Sequence, residues 1–218
     1  GAVNALLVHG GIVYAAGAFL STGNPSTSHA YLAAFAPDSG QALPWNPNVQ
    51  GTVNALATDG AALYLGGNFF SVGGQTRNRL AAVDLATAAV LAWDPNASGT
   101  VNALAYQSGV VYAGGNFANV GGSSHPYLVA LDAASGAPSA FAPSAGGTVS
   151  AIEPAGPVVY VGGFFSSMGG QSRSMLAQLD ATTGLATAWN PGANNGVNAL
   201  RLSGSTLYVA GGFATLAG

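Results

Sequence analysis

The stretch TVNALATDGAALYLGGNFFSVGGQTRNRLAAVDLATAAVLAWDP, residues 52–95, contains four short apolar runs separated by turn residues. The runs are Thr52–Ala57, Ala62–Phe69, Arg79–Asp84 and Val90–Trp93, and Val, Leu, Tyr and Phe dominate them. Gly, Asn, Asp, Ser and Pro punctuate the gaps, which is the pattern of short strands joined by tight turns. The runs are too short for helices, and their glycine pairs would cost a helix about 1 kcal/mol per Gly.

The same order of marks recurs along the whole chain. Val3, Val53, Val101, Val149 and Val197 each open a Val-Asn-Ala-Leu-like segment, which reads Val-Ser-Ala-Ile from Val149. Tyr14, Tyr64, Tyr112, Tyr160 and Tyr208 follow, then Phe19, Phe69, Phe117, Phe165 and Phe213. Leu32, Leu80, Leu128 and Leu176 come next, then Trp45, Trp93, Phe141 and Trp189, each with a Pro two residues on. From Val53 onward the period is 48 residues without drift, and the first unit is two residues longer between Phe19 and Leu32. Insertions concentrate in loops, so Leu20–Tyr31 and its counterparts read as one variable loop. The units run approximately 1–50, 51–98, 99–146 and 147–194, with a partial unit at 195–218, in a single repeat domain spanning 1–218.

Four strands in about 40–50 residues is the size of a propeller blade. The expected fold class is therefore all-β, a β-propeller built from ~48-residue four-stranded blades. A β-helix would use shorter coils, and a sandwich would not repeat its sequence. Four and a half units predict either a five-wedge ring, with one wedge thin or completed by another chain, or a segment of a larger propeller, which is the favoured alternative. The start at Gly1 rather than Met reads as a processed or excised piece.

The succession Val-x-Ala-Leu, Leu-Tyr-x-Gly-Gly-x-Phe, Leu-Ala-x-Leu-Asp-x-x-Thr-Gly and Trp-x-Pro resembles Kelch-type repeats and related bacterial surface-protein propellers. Gly66-Gly67, Gly114-Gly115 and Gly162-Gly163 stand where the Kelch double glycine ends the second strand. Asp84, Asp132 and Asp180 match its third-strand end, and Trp93 and Trp189 its fourth-strand Trp. The chain departs from the pattern at Ala16-Gly17, Ala210-Gly211, Ala36 and Phe141. The resemblance implies the fold; such propellers range from enzymes to adhesion and scaffold modules, so it implies no one activity.

Composition excludes several function classes. Charged residues make up 5% of the chain, with no lysine and a net charge of −3, so no polybasic surface exists for nucleic acid or anionic membranes. No run approaches the ~18 apolar residues of a spanning helix. The absence of cysteine removes disulfides and thiolate metal sites.

One constellation stands out. His29, Arg77, His125 and Arg173 occupy one repeat position, three residues before the third-strand Leu. Connections alternate ends in an antiparallel blade, so this loop shares an end with the Trp-x-Pro loop and its Asn46, Asp94 and Asn190. These four residues are the ligand-binding candidates, as an anion- or carbohydrate-binding rim. The alternative, which is favoured, is that they bond backbone carbonyls or acceptors of the neighbouring blade. His29 and His125 sit two blades apart, too far for one metal ion with ligands at ~2 Å. Asp84, Asp132 and Asp180 precede turns and are expected to bond turn backbone. The glycine pairs are expected to allow bulges or close approach of blades, and the recurrent Tyr and Trp to pack blade against blade. Glu153 has no paired carboxylate in its own segment, and Pro154 and Gly156 place it in a turn; His9 has no evident partner. No catalytic, metal or cofactor motif emerges. The expected function is a non-enzymatic structural or protein-interaction module of a secreted or cell-surface bacterial protein. Its partner would be another protein or remaining segments of the same protein. The alternatives are a glycan-binding propeller or the non-catalytic part of a larger propeller enzyme.

Overall fold

A computed structural model describes residues 1–22 and 29–216, and every regular element in it is a strand. The first strands are Val3–His9, Val49–Thr58, Thr100–Gln107, Gly147–Ala155 and Val197–Ser203. Each pairs antiparallel with the strand after it: Ile12–Gly17, Ala62–Val72, Val110–Asn116, Val158–Phe165 and Thr206–Gly211. In the first four units a third strand follows on the far edge, at Leu32–Phe35, Leu80–Asp84, Leu128–Asp132 and Leu176–Asp180.

The fourth run is shorter than its sequence suggests. It joins the sheet through one bridge per unit, such as Val83 with Val90, followed by one bond such as Leu91 N–H to the Ala82 carbonyl at 2.9 Å. The chain then leaves the sheet so that its aromatic can reach the next unit: Trp93 Nε1 donates to the Asp132 carbonyl at 3.0 Å.

The first strands stand side by side around a common axis, each touching the next. All five carry a bulge at the same place, between Val53 and Ala55 in the second unit, so the intervening Asn54, or Ser150 in the fourth unit, is the extra residue. A bulge bends the strand and re-aims a side chain. Asn4 Nδ2 thus donates to Asn54 Oδ1 at 3.0 Å, and Asn54 Nδ2 to the Val101 carbonyl at 3.1 Å, linking three consecutive units. The double glycine lies opposite the bulge. A β-carbon on Gly67 would overlap the Thr52 carbonyl oxygen, and one on Gly66 would lie 2.6 Å from Val101 Cγ1 of the next unit. One glycine admits the bulge and the other admits the neighbouring sheet.

Between units the packing is apolar, with an aromatic pair at each junction. Tyr14–Trp45, Tyr64–Trp93, Tyr112–Phe141 and Tyr160–Trp189 meet edge to face at centroid distances of 5.1–5.6 Å. Side chains on one face bond backbone of the following unit. Gln107 clamps Gly156 N–H and C=O at 2.8 and 2.9 Å, and Glu153 Oε1 accepts from Leu202 N–H at 2.9 Å. Glu153 and Pro154 lie inside the strand Gly147–Ala155, not in a turn. The first strand is the free edge of its sheet, and an edge tolerates the missing proline N–H.

The outer faces of the first and last units are open. Leu6 and Val8 are 67% and 70% exposed, and Tyr208 is 61% exposed where its counterparts Tyr14, Tyr64 and Tyr112 are buried. Part of the expected variable loop, residues 23–28, lies outside the described residues.

Candidate functional site

At the end of each sheet where the second strand turns into the third, the chain passes through a left-handed residue. Tyr31, Arg79, Tyr127 and Met175 have φ of 64–67° at equivalent places, a conformation that costs a non-glycine residue about 1 kcal/mol or more. The backbone holds it there: Arg79 N–H donates to the Phe69 carbonyl and Gly67 N–H to the Arg79 carbonyl, both at 3.0 Å. Two residues upstream of this kink sit the four rim candidates.

Arg77 and Arg173 adopt matching poses. Arg77 donates from its two terminal nitrogens to the carbonyls of Thr76 and Leu91, both at 2.9 Å. Arg173 donates to the carbonyls of Ser172 and Thr187 at 2.8 and 2.6 Å. Leu91 and Thr187 begin the outer segment that carries the Trp, so each guanidinium ties that segment to the second-to-third loop. Arg77 Nη1 also lies 3.7 Å from Asp94 Oδ2, which brings together a rim cation and a Trp-x-Pro-loop acid as the alternation of loops requires. His29 is buried with Nδ1 3.5 Å from Thr22 Oγ1. His125 is half-buried and its ring makes no hydrogen bond among the described residues. The same end of the molecule exposes Leu20 and Phe70, which share a repeat position, and Phe164.

The recurring aspartates close their own turns. Asp84 Oδ1 accepts from the N–H groups of Ala86 and Thr87 and from Thr87 Oγ1, and Asp132 and Asp180 do the same with Ala134 and Ser135 and with Thr182 and Thr183. These bonds hold all three carboxyls below the usual carboxylate range, led by the Thr87 and Ser135 hydroxyls for the first two and the Thr183 N–H for the third. Tyr64 spans two units, its hydroxyl 2.9 Å from both Asp59 Oδ2 and the Ala133 carbonyl. Burial first, and then Asp59, push the Tyr64 phenol far above its ordinary value. Asp59 is itself lowered, because its bonds from Ala62, Ala61 and Tyr64 together outweigh the opposing effect of burial. Among the described residues no three His, Asp or Glu side chains converge as metal ligands.

In the sequence alone Glu153 stands isolated. The fold sets it beside Arg201, 48 residues later on the neighbouring first strand, where both line a cavity at the axis. Their shared repeat position is the signal the sequence carries for this.

No family model matches the sequence, and no curated protein matches it. Solved structures do. The computationally designed Ika8 protein matches with a TM-score of 0.64 at 16% identity over 95% of this chain and 54% of its own. The β-propeller domain of Myceliophteria thermophila Cps50 (Swd1) matches with a TM-score of 0.60 at 11% identity, over 95% of this chain and 61% of its own. The chain folds as β-propeller blades. The extracellular domain of the one-component system BT4673 from B. thetaiotaomicron matches with a TM-score of 0.59 at 14% identity, over 95% of this chain and 25% of its own. Identities this low carry the fold and nothing further. The chain spans about half the length of the Ika8 design. No described helix is long and apolar enough to cross a membrane.

Proposed function

We propose that the chain is an interaction module: a Kelch-like arc of propeller blades from a secreted or cell-surface bacterial protein, acting without catalysis. The observation that carries this reading is the pair of open blade faces. Val3, Leu6 and Val8 at one end and Tyr208 at the other are the same side-chain classes that pack blade on blade inside the arc. Exposed apolar surface of this kind marks an interface. Further blades of the same polypeptide, or another protein, cover it.

The test is binding of the purified chain to the segments its own gene encodes around it and to purified bacterial envelope proteins. A complex weakened by Leu6→Ser with Val8→Ser, or by Tyr208→Ser, is expected. Turnover of a substrate by the isolated chain would contradict the reading.

A glycan-binding rim is the second reading, favoured by the exposed Phe70 ring next to Arg77 and Asp94. The Phe70 carbonyl accepts from the Arg77 backbone N–H at 3.0 Å, so ring and charges share one surface. Aromatic rings beside polar groups suit sugars. A glycan array should then show binding that falls in Arg77→Ala and Arg173→Ala; unchanged binding in both variants rejects the rim.

A further inference from the structure

The five first strands end around one cavity of about 430 Å³ on the axis, at the end of the molecule opposite the rim. Its wall is apolar from Leu7, Leu56, Leu104 and Ile152, and charged from Glu153 and Arg201. The last two share a repeat position held by Leu7, Ala57 and Ala105 in the other units, so the charge appears only on the two adjacent strands of the fourth and fifth.

In a chain with eleven charged residues this placement is informative. Asp59, Asp84, Asp132 and Asp180 close turns, Arg77 and Arg173 tie down the outer segments, Asp94 faces Arg77, and Arg79 donates to the Ala97 carbonyl at 3.0 Å. Arg201 is not used in this way. Its guanidinium makes no hydrogen bond or ion pair among the described residues. Glu153 is fixed through one oxygen by the Leu202 N–H and keeps the other for a second partner. Acid and base therefore line one cavity without pairing with each other, since the ion pair among the described residues is Arg77 with Asp94.

We propose that this axial cavity binds a small apolar α-amino acid, with its carboxylate on Arg201, its ammonium on Glu153 and its side chain against the leucines. A bidentate guanidinium suits a carboxylate, and a carboxylate held by a backbone N–H suits an ammonium. The volume accommodates a ligand of this size.

The experiment is calorimetric titration of the whole chain with L-leucine and with its two halves, 4-methylpentanoate and 3-methylbutylamine. Leucine should bind, and each half should bind about tenfold or more weakly, the loss of one charge-assisted contact. Arg201→Gln should weaken leucine and the acid by a similar factor and spare the amine. Glu153→Gln keeps an acceptor for Leu202 N–H, and should weaken leucine and the amine while sparing the acid. Ser124→Ala, an exposed position at the opposite end, should change nothing. The proposal is overturned if leucine gives no saturable heat, if it binds no tighter than its halves, or if both axial variants bind it as the parent does.

Discussion

Trp93 Nε1 donates to the Asp132 carbonyl at 3.0 Å, closing the junction between the second and third blades, whereas the equivalent nitrogen of Trp45 is buried without a partner. The two tryptophans make the same edge contact with their tyrosines, so the difference lies in the turn each faces. Replacing Trp93 with Phe should cost about 1 kcal/mol beyond the lost area, for the bond alone, because the Asp132 carbonyl keeps the Gly136 N–H at 2.9 Å. Trp45→Phe should cost less, because it removes an unsatisfied donor. Urea denaturation midpoints of the two variants compare them directly, and Phe141 shows that the position accepts the ring.

The turn facing Trp45 carries Ala88 at φ 62°, where the turns at the next two junctions carry Gly136 and Gly184 at 77°. A β-carbon on Gly136 would lie 3.3 Å from Trp93 Cδ1, so the glycine is what lets that turn settle onto the indole. Ala88 both bears a strained left-handed backbone and holds its turn off, and a cavity of about 530 Å³ opens between Trp45 and Leu85–Ala88. Ala88→Gly should stabilise the chain by about 1 kcal/mol. A rise in melting temperature checks this.

The two glycines of each pair should differ in tolerance. A β-carbon on Gly115 meets the Thr100 carbonyl, which the strand pairing fixes, while one on Gly114 meets the Val149 side chain, which can shift. Ala16 already sits at the second kind of place, buried near Val53. Gly114→Ala should cost about 1–3 kcal/mol, the range for overpacking. Gly115→Ala should cost more, or prevent folding, and circular dichroism during denaturation separates the two.

Asp84, Asp132 and Asp180 have folded pKa values below their unfolded ones. Their stabilisation is therefore present above the unfolded carboxylate pKa and is lost as pH falls through the depressed folded value. Denaturation midpoints should stay level from pH 7 to about 5 and drop below about pH 4. Changing all three to Asn keeps an acceptor in each turn and should flatten that acid limb. Tyr64 runs the other way. Its raised folded pKa favours the neutral phenol, so stability should decline above about pH 10, and less so in Tyr64→Phe.

The architecture was legible because each blade obeys one spacing. The apolar runs, the glycine pairs and the turn aspartates each have one local physical role, and identical roles recur at identical intervals. What was not legible depends on the neighbouring blade. Nothing in Val90–Trp93 says that the run leaves its sheet after one bridge; the feature common to all four units is the aromatic that packs edge to face on the second-strand tyrosine at the blade junction. Pro154 and Gly156 spell a turn at Glu153 only if the strand needs both its edges, and the axis leaves one edge free. The position shared by Arg77 and Arg173 was visible, but not that their guanidiniums reach across to Leu91 and Thr187.

Amide hydrogen exchange distinguishes an arc of blades with both end faces open from one whose ends are covered. The middle strands Ala62–Val72, Val110–Asn116 and Val158–Phe165 are bonded along both edges and should exchange slowly. Among the described residues Thr206–Gly211 is bonded on one edge alone. Its outward amides should exchange orders of magnitude faster, at rates near those of an unprotected strand edge. Protection there equal to that of the three middle strands would contradict the open arc.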